Sequence, residues 1–284
     1  MGSQPPGQSE CSDLRVNNVL PATGWICATL LTLPLIATAA EPPPHDVKAE
    51  AATYERCVKL AKQDPAAAEK LAQSWHERGG AHPADHCAAI ALIGLKQYKE
   101  AATRLEVLAQ AMTTAPAGLR AEVLDQAGQA WDLAGDPARA YAAAGAAVAL
   151  APNNPELLID RAEAAASIGY LDKAITDLNQ VLKTNPDHVD ALIYRASAYR
   201  ALGRLDPARV DIERALARAP NSAPALLESG NIRRLQGDTD AARREWERVG
   251  QLAPGSQADM AARANIERLD AGKNPRPAKT TSGQ

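Results

Sequence analysis

Three histidines, an aspartate and a cysteine crowd one short stretch: His76, His82, Asp85, His86 and Cys87. Imidazole and thiolate are zinc ligands, so His76, His82, His86 and Cys87 raise a metal-binding or enzyme-associated reading. Their spacing matches no strong zinc pattern. His82 also precedes Pro83, a helix-starting proline, where a capping or solvent-facing role suits it. The chain has no Gly-rich phosphate loop, no nucleophile motif and no metalloprotease motif. Its acidic residues scatter over surface positions and form no obvious pair for acid–base work. The expectation is therefore a non-enzymatic protein without catalytic residue, cofactor or metal, with the histidine–cysteine set as the alternative from another class.

The other reactive groups are four cysteines in a chain of 284 residues. Cys11 and Cys27 lie in the N-terminal segment. Cys57 and Cys87 lie beyond it. Val16 to Ala40 carries no charge, and its most apolar part runs from Trp25 to Ala40. That part ends Ala37-Thr38-Ala39, small residues at the spaced positions of a signal-peptidase site. Glu41-Pro42-Pro43-Pro44 then opens an extended polar stretch. The reading is a secretory signal peptide over residues 1–40. The alternative is an uncleaved membrane anchor, although Pro34 interrupts a core that is short for a span. The leader is poorly basic, with Arg15 set against Glu10 and Asp13. Cys27 does not fit a lipidation site, because bulky Ile26 precedes it. Removal of the signal would leave Cys57 and Cys87 as the only cysteines. An even count in an oxidising compartment points to a disulfide, and two buried thiols are the other reading.

These residues sit on a periodic scaffold. Pro152, Pro186, Pro220 and Pro254 recur at a step of 34 residues, as do Gly135, Gly169, Gly203 and Gly237, and Ala140, Ala174, Ala208 and Ala242. A fixed 34-residue period is the mark of a helix–turn–helix repeat. Each glycine suits the left-handed turn that ends a first helix. Each alanine suits the close approach of a second helix, and each proline stops that helix. One hairpin cannot bury its own apolar stripe, so such units stack. In register and residue type the chain resembles the tetratricopeptide repeat family. The resemblance implies an all-α, right-handed superhelical array of about six helix–turn–helix repeats with a C-terminal cap helix. It also implies a role in binding other proteins.

The expected organisation is an extended linker over 41–46, two degenerate repeats with a loop over 47–120, and four regular repeats over 121–256. A capping helix over 257–270 and a disordered tail over 271–284 follow. Ala67 to Ala101 keeps the 34-residue step, but Ala101 to Ala140 spans 39. The five extra residues fit within 112–118, as a loop insertion or a hinge between two halves. Arg233, where the family usually has an aromatic, and Gly250 predict looser packing in the sixth repeat. Arg161 and Asp177 recur as Arg195 and Asp211, which predicts a repeated ion pair across the hairpin.

Aligned to the repeat, Cys57 and Cys87 fall on first helices of consecutive hairpins, which are neighbours in the stack. The first helices of the family line a concave groove that holds peptides or protein segments. Carrying those positions over gives Asp125, Gln129 and Asp132, then Glu163 and Ser167, Ser197 and Arg200, and Asn231 and Arg234. Their signs run from acidic to basic, which suits a partner segment with a basic and an acidic end. No Lys and Asn set for clamping a carboxylate is present. The net charge of −3 argues against nucleic acid as a partner. The expected protein is an exported, periplasmic scaffold or assembly factor of the bacterial envelope. It would meet a membrane only through an uncleaved N-terminus.

Overall fold

The computed structural model describes residues 47–273. The signal peptide or anchor, the linker and most of the tail lie outside the described residues. Among those described, every regular element is helical. The helices are α1 (Val47–Gln63), α2 (Pro65–Trp75), α3 (Ala81–Gly94), α4 (Tyr98–Ala111), α5 (Ala117–Leu133), α6 (Pro137–Leu150) and α7 (Pro155–Ser167). They continue as α8 (Leu171–Thr184), α9 (Val189–Ala201), α10 (Leu205–Arg218), α11 (Ala223–Leu235), α12 (Thr239–Leu252) and α13 (Gln257–Lys273). None is long and apolar enough to cross a membrane.

The helices start where the sequence supplies an acceptor for unpaired backbone donors. Asp64, Asp136, Asn154, His188, Ser222 and Asp238 each accept from an N–H of the following first turn. Pro65, Pro137 and Pro155 occupy first-turn positions, where a missing N–H costs nothing. First helices of the regular repeats end at Gly135, Gly169, Gly203 and Gly237, all with positive φ. Lys96 stands five residues before Ala101, in the same register, and takes φ +61° there without glycine's freedom. Between α2 and α3, His76–Gly80 forms a wide turn with Gly79 at φ +94°.

Helices pair as α1/α2 through α11/α12, and α13 closes the array against α12 and α11. Each second helix also packs on the next first helix. First helices approach one another directly, as in α1 with α3, α5 with α7, α7 with α9 and α9 with α11. This nearness puts the first helices on the inner, concave layer. The core runs as successive clusters of alanines wedged with larger side chains: Leu92, Leu105 and Trp131, then Leu158, Leu178, Leu192 and Ile212, then Leu226 and Trp246.

The loop reading of the insertion holds over the hinge, and other expectations are corrected. The insertion is a loop, because Leu105, Leu108 and Met112 form one cluster with Val123, Ala127 and Trp131 across it. That shared core leaves no break for a hinge. Gly118 belongs to α5 and residues 271–273 to α13. The sixth repeat is tightly packed. Trp246 and Val249 are fully buried, and Gly230 leaves room for the indole: a β-carbon there would lie 2.4 Å from Trp246 Nε1. Arg233 reaches Glu245 at 3.7 Å instead of entering the core.

Candidate partner-binding groove

Cys57 and Cys87 form a disulfide between α1 and α3, with Cα atoms 6.1 Å apart. Both residues are fully buried. The bond removes Cys87 from the candidate metal set. His86 is also committed: Nδ1 pairs with the Tyr54 hydroxyl and Nε2 with Gln126 Oε1, each at 2.7 Å. Burial lowers the pKa of His86, and the Gln126 bond opposes that shift. His76 Nδ1 pairs with Asp85 Oδ1 at 2.7 Å, and His82 is exposed. No group of three metal-capable side chains converges among the described residues. The histidine–cysteine reading loses its set because Cys87, His86 and His76 are each held by a different partner and His82 is exposed to solvent.

The hairpin ion pairs form as expected. Arg161 holds Asp177 through two hydrogen bonds of 2.7 and 2.6 Å. Arg195 holds Asp211 through two of 2.7 Å, with its Nη1 donating to Asn179. Asp177 and Asp211 are buried, so these pairs are packed parts of the hairpins.

The inner layer carries polar rungs from one first helix to the next. Tyr54, His86 and Gln126 link α1, α3 and α5. Gln129 of α5 donates to Asp125 on its own helix and to Asp160 of α7. Glu163 of α7 is hydrogen-bonded by Tyr194 of α9. Arg200 of α9 donates to Glu228 of α11 at 2.6 Å. Asn231 donates to the other oxygen of Glu228, and Asn265 of α13 donates to Asn231. Ser197 sits beside this network, accepting from Arg200 at 3.3 Å. Arg234 is exposed.

Two readings change on this geometry. Arg200 does not add a free positive charge to the basic end of the groove, because buried Glu228 neutralises it. The carboxylates do not merely scatter either. Asp125, Asp132, Asp160 and Glu163 converge on one cavity of about 360 Å³ between α5 and α7. Gly128, Ala140, Ala144 and Ala164 supply apolar walls, and Gln129, Leu133 and Ser167 complete the lining. Burial and then the Asp160 carboxylate raise the pKa of Asp125 to about 7, against a smaller lowering by Gln129. Burial also raises Glu163, even though much of its side chain is exposed, because the groove walls desolvate it.

Of the expected groove residues, five line this cavity: Asp125, Gln129, Asp132, Glu163 and Ser167. Ser197 lines the next cavity, with Glu163, Ser167 and Tyr194. Arg200, Asn231 and Arg234 line neither of these two cavities. Asn265 on α13 escaped the reading of the sequence, and so did four rung residues on first helices: Gln126, Asp160, Tyr194 and Glu228. These four share one 34-residue register. That period was the available signal, and it places all four on first helices.

Tetratricopeptide repeat models match residues 155–188, 190–222 and 224–256. No curated protein matches the chain. Among solved structures, a thermophilic TPR protein of Thermus thermophilus is 20% identical, with 66% of this chain and 98% of that chain covered and a TM-score of 0.53. A tetratricopeptide repeat protein of Parabacteroides merdae is 20% identical over 79% of this chain and 76% of its own, at TM-score 0.52. A MamA protein is 18% identical over 61% of this chain and 92% of its own, at TM-score 0.51. At such identities the likeness extends to the fold. Residues 155–256 thus hold three tetratricopeptide repeats matched in sequence, and the described residues around them fold as an all-helical array of that kind.

Proposed function

We propose that the protein is an exported interaction scaffold that holds an extended segment of a partner protein along its first helices. Tetratricopeptide repeats bind protein partners in general, and the matched repeats carry that reading to this chain. The observation that supports the groove as the place is the open cavity between α5 and α7. Export to an oxidising envelope compartment is favoured by the buried Cys57–Cys87 disulfide, a bond that persists in such compartments. The signal-like run ending at Ala39 points the same way. A role in assembling envelope machinery fits both features.

The test is site-specific photo-crosslinking of the full chain in cells. One probe replaces Gln129 or Ser167 in the groove, and the other replaces Arg209 or Glu213 on the exposed side of α10. Capture of a protein at the groove positions alone is the expected result. Capture at α10 alone moves binding to the outer helices and overturns the reading. Intact mass of the exported protein checks the leader: a start at Ala40 or Glu41 means cleavage, and the full mass means a membrane tether.

A further inference from the structure

The groove is uneven in charge along its length. On one side, Tyr54, His86 and Gln126 satisfy one another without net charge. On the other, Arg200 balances Glu228, and Asn231 and Asn265 complete that ladder. Between them, the α5–α7 cavity has four carboxylates and not one lysine, arginine or histidine in its lining. Gly128, Ala140, Ala144 and Ala164 give it a small apolar wall, and Gln129, Leu133 and Ser167 complete the lining. An aliphatic stem ending in a cation matches both halves of that surface.

We propose that the α5–α7 groove docks an extended partner segment through a lysine or arginine side chain. The stem lies on the alanine-lined wall, and the cationic head sits among Asp125, Asp132, Asp160 and Glu163. This rests on the interaction-scaffold reading and specifies which segments the groove accepts. Neutral donors reach three of these carboxylates, Gln129 at Asp125 and Asp160 and Tyr194 at Glu163, but among the described residues no cation pairs with any of the four. On α6, Arg139 lies over the Trp131 ring, 4.5 Å from its centroid, and it also pairs with Asp136. On α4, Glu106 accepts from Trp131 Nε1. On α3, His86 is held by Tyr54 and Gln126. On α9, Tyr194 is taken by Glu163.

A cation docked there replaces the proton that the unliganded site keeps on Asp125. Docking therefore releases a proton and strengthens as pH rises. With Asp125 titrating at about 7, affinity increases about tenfold from pH 6 to pH 8.

The experiment titrates the full chain with a dye-labelled (Ser-Lys)4 peptide, read by fluorescence anisotropy at pH 6 and pH 8. The expected result is tighter binding at pH 8. In an Asp125→Asn, Asp160→Asn double variant, affinity at pH 8 falls at least tenfold and the pH dependence disappears. Glu247→Gln, on the exposed side of α12, leaves both unchanged. Circular dichroism confirms equal helicity, and the isosteric amides avoid a cavity.

Equal loss in the Glu247 variant would reduce the effect to net charge and overturn the proposal. So would equal binding of a (Ser-Glu)4 peptide, or no binding of the lysine peptide at pH 8. Displacement by free spermidine at matched charge, with no preference for the peptide, would reassign the pocket to small polyamines. Groove crosslinks that persist while binding ignores Asp125 and Asp160 would overturn this proposal and leave the scaffold reading intact. Absence of groove crosslinks would overturn the scaffold reading itself.

Discussion

At pH 8 an ionised Asp125 faces the Asp160 carboxylate across a groove with no cation in its lining. Its reference pKa is 3.8, and the folded protein raises it to about 7. The folded chain therefore binds this proton more tightly than the unfolded chain does. The resulting stabilisation is complete below pH 3.8 and is lost as pH rises through 7. Asp125→Asn removes that loss. The variant should melt about 2–4 °C higher than the parent at pH 8 and no higher at pH 4, measured by thermal scans at both. Lys96 offers a second residue-scale test. It holds a left-handed conformation that its neighbours in register give to glycine. Lys96→Gly should stabilise the second repeat by about 0.5–1 kcal/mol, read from urea unfolding. Part of this was legible in the sequence. Asp125, Asp132 and Glu163 follow from repeat positions alone. Their convergence with Asp160 was not legible, because it depends on how closely α7 approaches α5.

The hairpins α7/α8 and α9/α10 are each tied internally by an Arg–Asp pair, and the pairs differ in burial. Asp211 is 3% exposed and is held by both arms of the Arg195 guanidinium. Removing one partner strands a buried charge. Arg195→Ala should cost about 3–5 kcal/mol by denaturant unfolding, whereas an Arg195→Met, Asp211→Leu double replacement should cost far less. A cost under about 1 kcal/mol for Arg195→Ala would mean that water reaches Asp211. Element boundaries were well marked in advance, because Asp64, Asn154 and Asp238 cap where chemistry demands an acceptor. The sixth repeat read as loose because Arg233 and Gly250 break the family pattern. In the folded hairpin Trp246 fills the space above Gly230, a complementarity between two helices that neither shows alone.

Across the molecule, stability passes from neighbour to neighbour, so a lost tie has a local effect. The Cys57–Cys87 disulfide closes a separation of 30 residues, worth about 3–4 kcal/mol by loop entropy. Cys57→Ala should raise amide exchange in α1 to α4 and leave α7 to α12 unchanged. Uniform acceleration along the chain would show instead that the array unfolds as a single unit. The sequence alone determined the period, the helical class and the turn glycines, and it placed the two cysteines on neighbouring helices. These are set by spacing along one chain and by backbone conformation. Tertiary structure decided the electrostatics of the groove. Charge balance depends on distances between helices one repeat apart, where a shift of a few ångströms changes an ion pair into a solvated charge. Hence Arg200 read as a basic groove position in the sequence and is bound to Glu228 in the fold. The acidic residues looked dispersed along the chain, yet four of them meet in one cavity.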